Sequence, residues 1–275
     1  ESFGMFCSIA ELGLTLHEMP YACEDGLLIL NDDPELKDRL TPGEDIRDTL
    51  RLRDDVVDFE ITSNRPDCLS MIGLAHETAA SYDIPLKLKT PAVKGSAGNI
   101  SDYLKVSISS PLCRRYAARI VRNIRIAPSP LWLRMRLRAM GVRAINNIVD
   151  ITNYVMLEYG QPMHAFDYRC IDGSAINVRE AYEGETFVSL DDQPHELKAG
   201  MLVIADEKKA VALAGVMGGQ NSEITETTEN VIFESANFNG ASVRVTSRAL
   251  GMRTESRSRF EKNLDPESVL PALER

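Results

Sequence analysis

The stretch INNIVDITNYVMLEYGQPMHAFD, residues 145–167, constrains the fold more than any other part of this chain. Apolar or small side chains recur at 145, 148, 149, 152, 155, 156 and 159, which is helical spacing. Gly160, Gln161 and Pro162 end the helix, and His164 follows between Pro162 and Phe166. On another helix face Asn146, Asp150 and Asn153 fall at i, i+4 and i+7 and line up in a row. A polar row leading to a histidine is expected to form one wall of a reaction site. The other reading of His164 is a packing or capping residue.

Around this segment the chain reads as two domains, the better prior for 275 residues. Residues 1–50 are loop-rich and acidic. Residues 56–61 alternate apolar and polar and are expected as a strand. A helix is expected over 64–81, with Pro66 at an early position and Asp67 at the positive end of its dipole. The small, polar, glycine-containing segment 91–99 is the expected boundary. Strands are expected at 104–109, 116–126, 175–181, 202–205, 210–214 and 230–236, with a hairpin loop at 206–209. Ser129 and Pro130 open a helix over 131–140 that stops at Gly141, and a helix over 241–250 stops at Gly251. Strands arranged in hairpins, not in strict βαβ units, give an α+β fold with a mixed or antiparallel sheet and flanking helices.

No apolar run approaches the roughly 18 residues that span a membrane, and no secretory signal is present. The five cysteines are odd in number and form no CxxC pair. That argues against a zinc site and a secreted disulfide framework, so no metal is expected. A reduced, cytoplasmic setting follows, with each cysteine a small core residue. The chain starts at Glu1 and ends at Arg275 inside a helical pattern, and reads as a piece of a longer protein. Its net charge of −10 lies entirely in residues 1–100, which hold 19 acidic and 9 basic side chains. Nine arginines and no acid lie between Arg114 and Arg143. Such a zone can meet a polyanion, with Arg114, Arg115, Arg138 and Arg143 as candidate contacts. The alternative is a solvated strand and helix whose acidic partners lie elsewhere in the chain.

Four further groups could carry chemistry. Glu234 interrupts an otherwise apolar strand, where a carboxylate is costly without a donor. It either pairs with an arginine or is held for a ligand's donor group. Residues 214–219 end a strand in a glycine turn, where Gly218 permits close approach and leaves N–H groups available; a structural turn also fits. Thr254 and Ser256 bring hydroxyls to a loop after a helix, as ligands or as caps. Neither a nucleophile elbow, nor HExxH, nor GxGxxG is present, so covalent catalysis and metal hydrolysis are poor candidates.

Taken together, EITSNRPDCLSMIGLAHETA (60–79), INNIVDITNYVMLEYGQPMHAFD (145–167), LAGVMGG (213–219), FESANF (233–238) and GMRTES…RFEKNLDP (251–266) resemble the beta subunit of bacterial phenylalanyl-tRNA synthetase. The resemblance covers nearly the whole chain in family order. It implies that residues 1–50 are the tail of a tRNA-binding oligonucleotide-fold insert and 51–95 a small α+β module. Residues 100–275 are then a C-terminally truncated editing domain, which removes tyrosine wrongly attached to tRNA(Phe). The implied partners are the tRNA(Phe) 3′ end and the synthetase alpha subunit. ATP and magnesium belong to other parts of the parent enzyme, so no cofactor is expected in this fragment. By motif match His164 and Asn153 orient water or the terminal ribose, Gly218 lies in the glycine turn of the site, and Glu234 recognises the tyrosine hydroxyl. Thr254 and Ser256 line the amino-acid pocket. Many relatives carry Ala at the position of Ser256, which leaves open whether this hydroxyl narrows the pocket or adds a hydrogen bond.

The chemistry explains why such residues would be needed. An apolar pocket rejects an added hydroxyl by only about 10²-fold, whereas a polar one can discriminate by about 10⁴–10⁵. A carboxylate accepting the phenol O–H supplies roughly 1.5–3 kcal/mol. Two non-enzymatic readings stand beside this one: a tRNA-binding module acting through the arginine zone, and a module that docks the alpha subunit.

Overall fold

The structure is a computed structural model and describes residues 5–93, 95 and 98–275. In chain order its helices are α1 (Ile46–Thr49), α2 (Met71–Tyr82), α3 (Leu131–Ala139), α4 (Asn147–Tyr159), α5 (Gly240–Ala249), α6 (Glu255–Phe260) and α7 (Val269–Glu274). The strands are β1 (Lys105–Ile108), β2 (Cys113–Arg122), β3 (Met163–Asp167), β4 (Ala175–Glu180), β5 (Thr186–Val188), β6 (Pro194–Glu196), β7 (Leu202–Ala205), β8 (Ala210–Leu213), β9 (Met217–Gly218) and β10 (Asn230–Phe238). The class is α+β, as expected.

The chain divides into two units, Glu1–Phe59 with Ala127–Tyr154, and Glu60–Ile126 with Val155–Arg275. This division runs elsewhere than the sequence suggested. Residues 127–154 group with the N-terminal part because Leu131 and Met135 of α3 share an apolar cluster with Ile9, Leu14, Met19, Leu36 and Leu50. The expected boundary at 91–99 includes Lys94, Ser96 and Ala97, which lie outside the described residues.

The first unit has no strand among its described residues. Its α3 begins one residue later than Ser129-Pro130 predicts. Pro130 is the cap position, and the Leu131 N–H donates to Glu35 Oε1 at 2.8 Å. The Ser129 hydroxyl donates instead to Asp150 Oδ2 at 2.6 Å. Residues 56–61 form no strand. Val56, Val57 and Phe59 stand exposed, so an alternating pattern that found no partner strand stayed uncovered.

The second unit holds a five-stranded sheet in the order β1-β4-β7-β8-β9, a three-stranded sheet β2-β10-β3, and the hairpin β5-β6. β1 and β4 are parallel and all other pairs antiparallel. One core joins Ile176, Val178, Val203 and Leu213 of the larger sheet to Phe166, Ile232 and Phe238 of the three-stranded one. The helix expected over 64–81 is broken at Ser70. A 3-10 turn (Pro66–Leu69) precedes it, and the Ser70 hydroxyl caps α2 by accepting from the Gly73 N–H at 3.0 Å. Of the cysteines only Cys68 and Cys113 are buried. Cys23 is exposed, contrary to the expectation that all five belong to the core.

Candidate hydrolytic site

The site is built on β10, whose central position in its sheet buries most of both faces. In antiparallel pairing, residues directly opposite share a face. Glu234 lies opposite Ala118 on β2 and His164 on β3. His164 is therefore a strand residue. The sequence placed it just beyond the turn that ends a helix without marking a strand there, and what makes β3 is the long edge of β10. Gln161 fastens its start by donating to the Ala236 carbonyl at 2.8 Å. Asp167 fastens its end by accepting from the Thr228 hydroxyl at 2.7 Å.

Glu234 is 5 % exposed, and its Oε2 is enclosed with no hydrogen-bond partner. No arginine pairs with it among the described residues. Burial pushes its carboxyl up to about 8, so the group is mostly protonated at neutral pH. Tyr116, two positions from Ala118 on the same face, brings its phenol close enough to Glu234 to oppose that rise. Neither the phenol oxygen nor Oε2 completes a hydrogen bond of normal geometry. The Tyr116 phenol is itself pushed well above its ordinary value, by burial first and by Glu234 second. Sequence reasoning missed Tyr116. The alternation Tyr116, Ala118, Ile120 between arginines was the available signal.

His164 is half-buried, and its ring stands edge-on to Phe166 at 4.6 Å between centroids. Desolvation lowers its pKa to about 4, so the imidazole is neutral and makes no hydrogen bond to the described residues. Gly218 on β9 lies against it. A Cβ at 218 would come 2.5 Å from His164 Cε1 and 2.7 Å from Nε2, distances no side chain tolerates. Glu234, His164 and Gly218 are thus joined by pairing and contact within one unit.

Thr254 supports this cluster through the backbone. Its hydroxyl donates to the Val216 carbonyl at 3.0 Å and accepts from the Arg257 N–H at 3.1 Å, which caps α6 and fastens the glycine turn. Ser256 is half-buried in the first turn of α6, and its hydroxyl bonds to no described residue.

The polar row on α4 has a different use from the expected wall. Asn146 caps the helix, accepting from the Ile148 and Val149 N–H groups at 3.1 and 3.0 Å. Asp150 is fully buried and accepts from Ser129 and from the Ile145 N–H at 2.7 Å. Both serve the first unit's own structure. Asn153, half-buried in the same unit, has no hydrogen bond among the described residues.

The arginine zone is not one surface patch either. Arg134 is buried in the first unit, bonded to Asp33 at 3.0 Å and to the Glu18 carbonyl at 2.8 Å. Arg138 in that unit donates to the Gly13 carbonyl, and Arg143 is exposed. In the second unit Arg115 pairs with Glu267 at 2.9 Å while Arg114 is exposed. Acids distant in sequence thus neutralise part of the zone, which was one of the two readings.

A family model for the B3/4 domain matches residues 112–275. The chain belongs to the B3/4 domain family. Over its full length it is 50 % identical to the phenylalanine–tRNA ligase beta subunit of Clostridium tetani. It is 47 % identical, also over its full length, to the beta subunits of Clostridium acetobutylicum and Streptococcus pneumoniae. The chain spans about a third of the length of these relatives, 33 to 34 %. An N-terminal fragment of the phenylalanyl-tRNA synthetase beta subunit from Pyrococcus horikoshii is a loose structural neighbour. It is 16 % identical with a TM-score of 0.39, covering 72 % of this chain and 63 % of its own. The B3/4 match takes in every member of the cluster, from Tyr116 to Ser256. No helix among the described residues is long and apolar enough to cross a membrane.

Proposed function

We propose that this B3/4 chain hydrolyses tyrosine from mischarged tRNA(Phe), as part of a phenylalanine–tRNA ligase beta subunit that works with an alpha subunit in the cytoplasm. The observation that carries this reading is the unpartnered Glu234 Oε2, buried directly across the strand pair from His164. A buried polar atom without a partner costs roughly 1–3 kcal/mol, so a ligand hydroxyl that satisfies it is bound selectively. The protonated carboxyl both donates to and accepts from a phenol, in place of the charge-assisted bond that an ionised group would make. Phenylalanine leaves the group unsatisfied.

The reaction needs water and positioned groups and no cofactor in this chain. The water oxygen bonds to the ester carbonyl carbon, and the bond from that carbon to the ribose oxygen breaks. The proton given up by the water ends on the departing ribose oxygen, releasing tyrosine and intact tRNA. A histidine with a pKa near 4 is a weak base. His164 therefore orients the water or the terminal ribose by accepting a hydrogen bond, and does not store a proton. Backbone N–H groups at the Gly218 turn stabilise the developing oxyanion. Thr254 acts through Val216 as a positioning residue, and Ser256 offers its free hydroxyl to the amino acid.

Deacylation of tyrosyl-tRNA(Phe) by the chain tests this directly. His164→Ala and Glu234→Ala are each expected to slow it. Turnover undiminished in both variants contradicts the assignment.

A further inference from the structure

Apart from the Glu234 cluster, the second unit carries a cleft of about 340 Å³ lined by Tyr103, Ile120, Arg122, Asn123, Tyr168 and Asn230. Its volume is that of a small-ligand site. Its chemistry is unusually uniform: two phenol rings, one guanidinium and two primary amides around a single aliphatic floor. The Arg122 guanidinium lies over the Tyr103 ring, 4.8 Å from its centroid, and has no acidic partner among the described residues. The stack keeps the charge at the cleft without neutralising it.

Some of the polar groups are engaged with neighbouring groups of the fold, and others bond to no described residue. Tyr168 donates its hydroxyl to the Tyr103 carbonyl at 2.8 Å, also meeting Ser174 at 3.0 Å, which fixes the two aromatic residues against each other. Asn123, at a positive φ of 57°, turns the chain at the end of β2. Its N–H donates to Asn230 Oδ1 at 3.2 Å. That bond orients the Asn230 amide and leaves its NH₂ free, while the Asn123 side chain bonds to no described residue. Flat π faces, an unneutralised guanidinium and paired donor–acceptor amides are the features that recognise a nucleobase with its phosphate.

We propose that this cleft binds one unpaired nucleotide of an RNA strand, with the base stacked on the tyrosines, its edge read by Asn123 and Asn230, and the phosphate held by Arg122. The choice of an RNA strand over a free nucleotide rests on the function proposed above; the recognition chemistry does not. The site is separate in its residues from the hydrolytic cluster.

Calorimetric titration of the full chain with an adenylate tetranucleotide, AMP and inorganic phosphate decides the matter. The tetranucleotide is expected to bind most tightly. Arg122→Gln and Tyr103→Ala are each expected to weaken it about tenfold with an unchanged melting temperature. His164→Ala is expected to bind as wild type while its deacylation falls, so this cleft and the hydrolytic assignment fail separately. Binding of phosphate as tight as that of the nucleotides, binding of AMP without the tetranucleotide, or unchanged affinity in both cleft variants overturns the proposal.

Discussion

Two buried carboxyl groups, Asp33 in the first unit and Glu234 in the second, have opposite surroundings. Asp33 is 2 % exposed and meets the equally buried Arg134 at 3.0 Å, while its other oxygen accepts from the Glu35 N–H at 2.9 Å. Glu234 is 5 % exposed, has no cation, and leaves Oε2 unbonded. The first group is wholly engaged in holding α3 to the N-terminal loops. The second raises the energy of the folded state with no structural return, and what faces it is the neutral His164 across the strand pair and the buried Tyr116 phenol. A buried carboxyl that the fold satisfies serves structure, and a buried carboxyl left without a counter-ion is a candidate ligand group.

The contrast can be broken by mutation. Asp33→Ala leaves the buried Arg134 with the more distant Glu35 Oε1, at 3.8 Å, as its remaining carboxylate. It is expected to destabilise the chain by about 3–5 kcal/mol, measured by denaturant unfolding.

Glu234→Gln is expected to act in the other direction and to depend on pH. The unfolded carboxyl ionises near its ordinary 4.5, whereas the folded one keeps its proton up to about 8. Wild-type stability is therefore intact below 4.5 and declines as pH rises between those values. Glutamine has no such titration. The variant should gain on wild type by a few kcal/mol between pH 5 and pH 9. A constant difference across that range would mean that Glu234 is not desolvated. His164 has the reverse sign. Its folded pKa of about 4 lies below the ordinary 6.5, so it costs stability only as pH falls through that window.

Gly218→Ala forces a Cβ against the His164 ring. It should slow deacylation about 10²-fold, as a displacement near 1 Å does, with a smaller loss of stability. Asn153→Ala is the mildest substitution, expected within about 0.5 kcal/mol in unfolding because its side chain bonds to no described residue. A larger loss would place Asn153 with Asp33 as a structural group.

The same contrast explains how much could be read from the sequence. Strands β7, β8 and β10 were legible because burial on both faces leaves continuous apolar runs, and Glu234 stood out as a carboxyl inside one of them. β3 was not legible. MHAFD is a strand because β10 offers it an edge, a fact of pairing that no local pattern records. Residues 56–61 are the reverse, an alternating pattern with no strand to pair with. The helix expected from residue 145 begins at Asn147, and two of the three residues in its polar row serve the first unit's own structure. Asn146 and Asp150 found partners at Ile148, Val149, Ser129 and Ile145, which helical spacing cannot reveal. The opposition of His164 and Glu234 is a matter of register, so only the resemblance joined them before the strands were in hand.

The central claim is that Glu234 reads the tyrosine hydroxyl. Its most direct test is the ratio of deacylation rates for tyrosyl- and phenylalanyl-tRNA(Phe), compared between wild type and Glu234→Ala. The account predicts that the preference for tyrosine falls by about 10²-fold or more, through a slower rate on tyrosine with the rate on phenylalanine retained. An unchanged ratio, with both rates falling together, would contradict it.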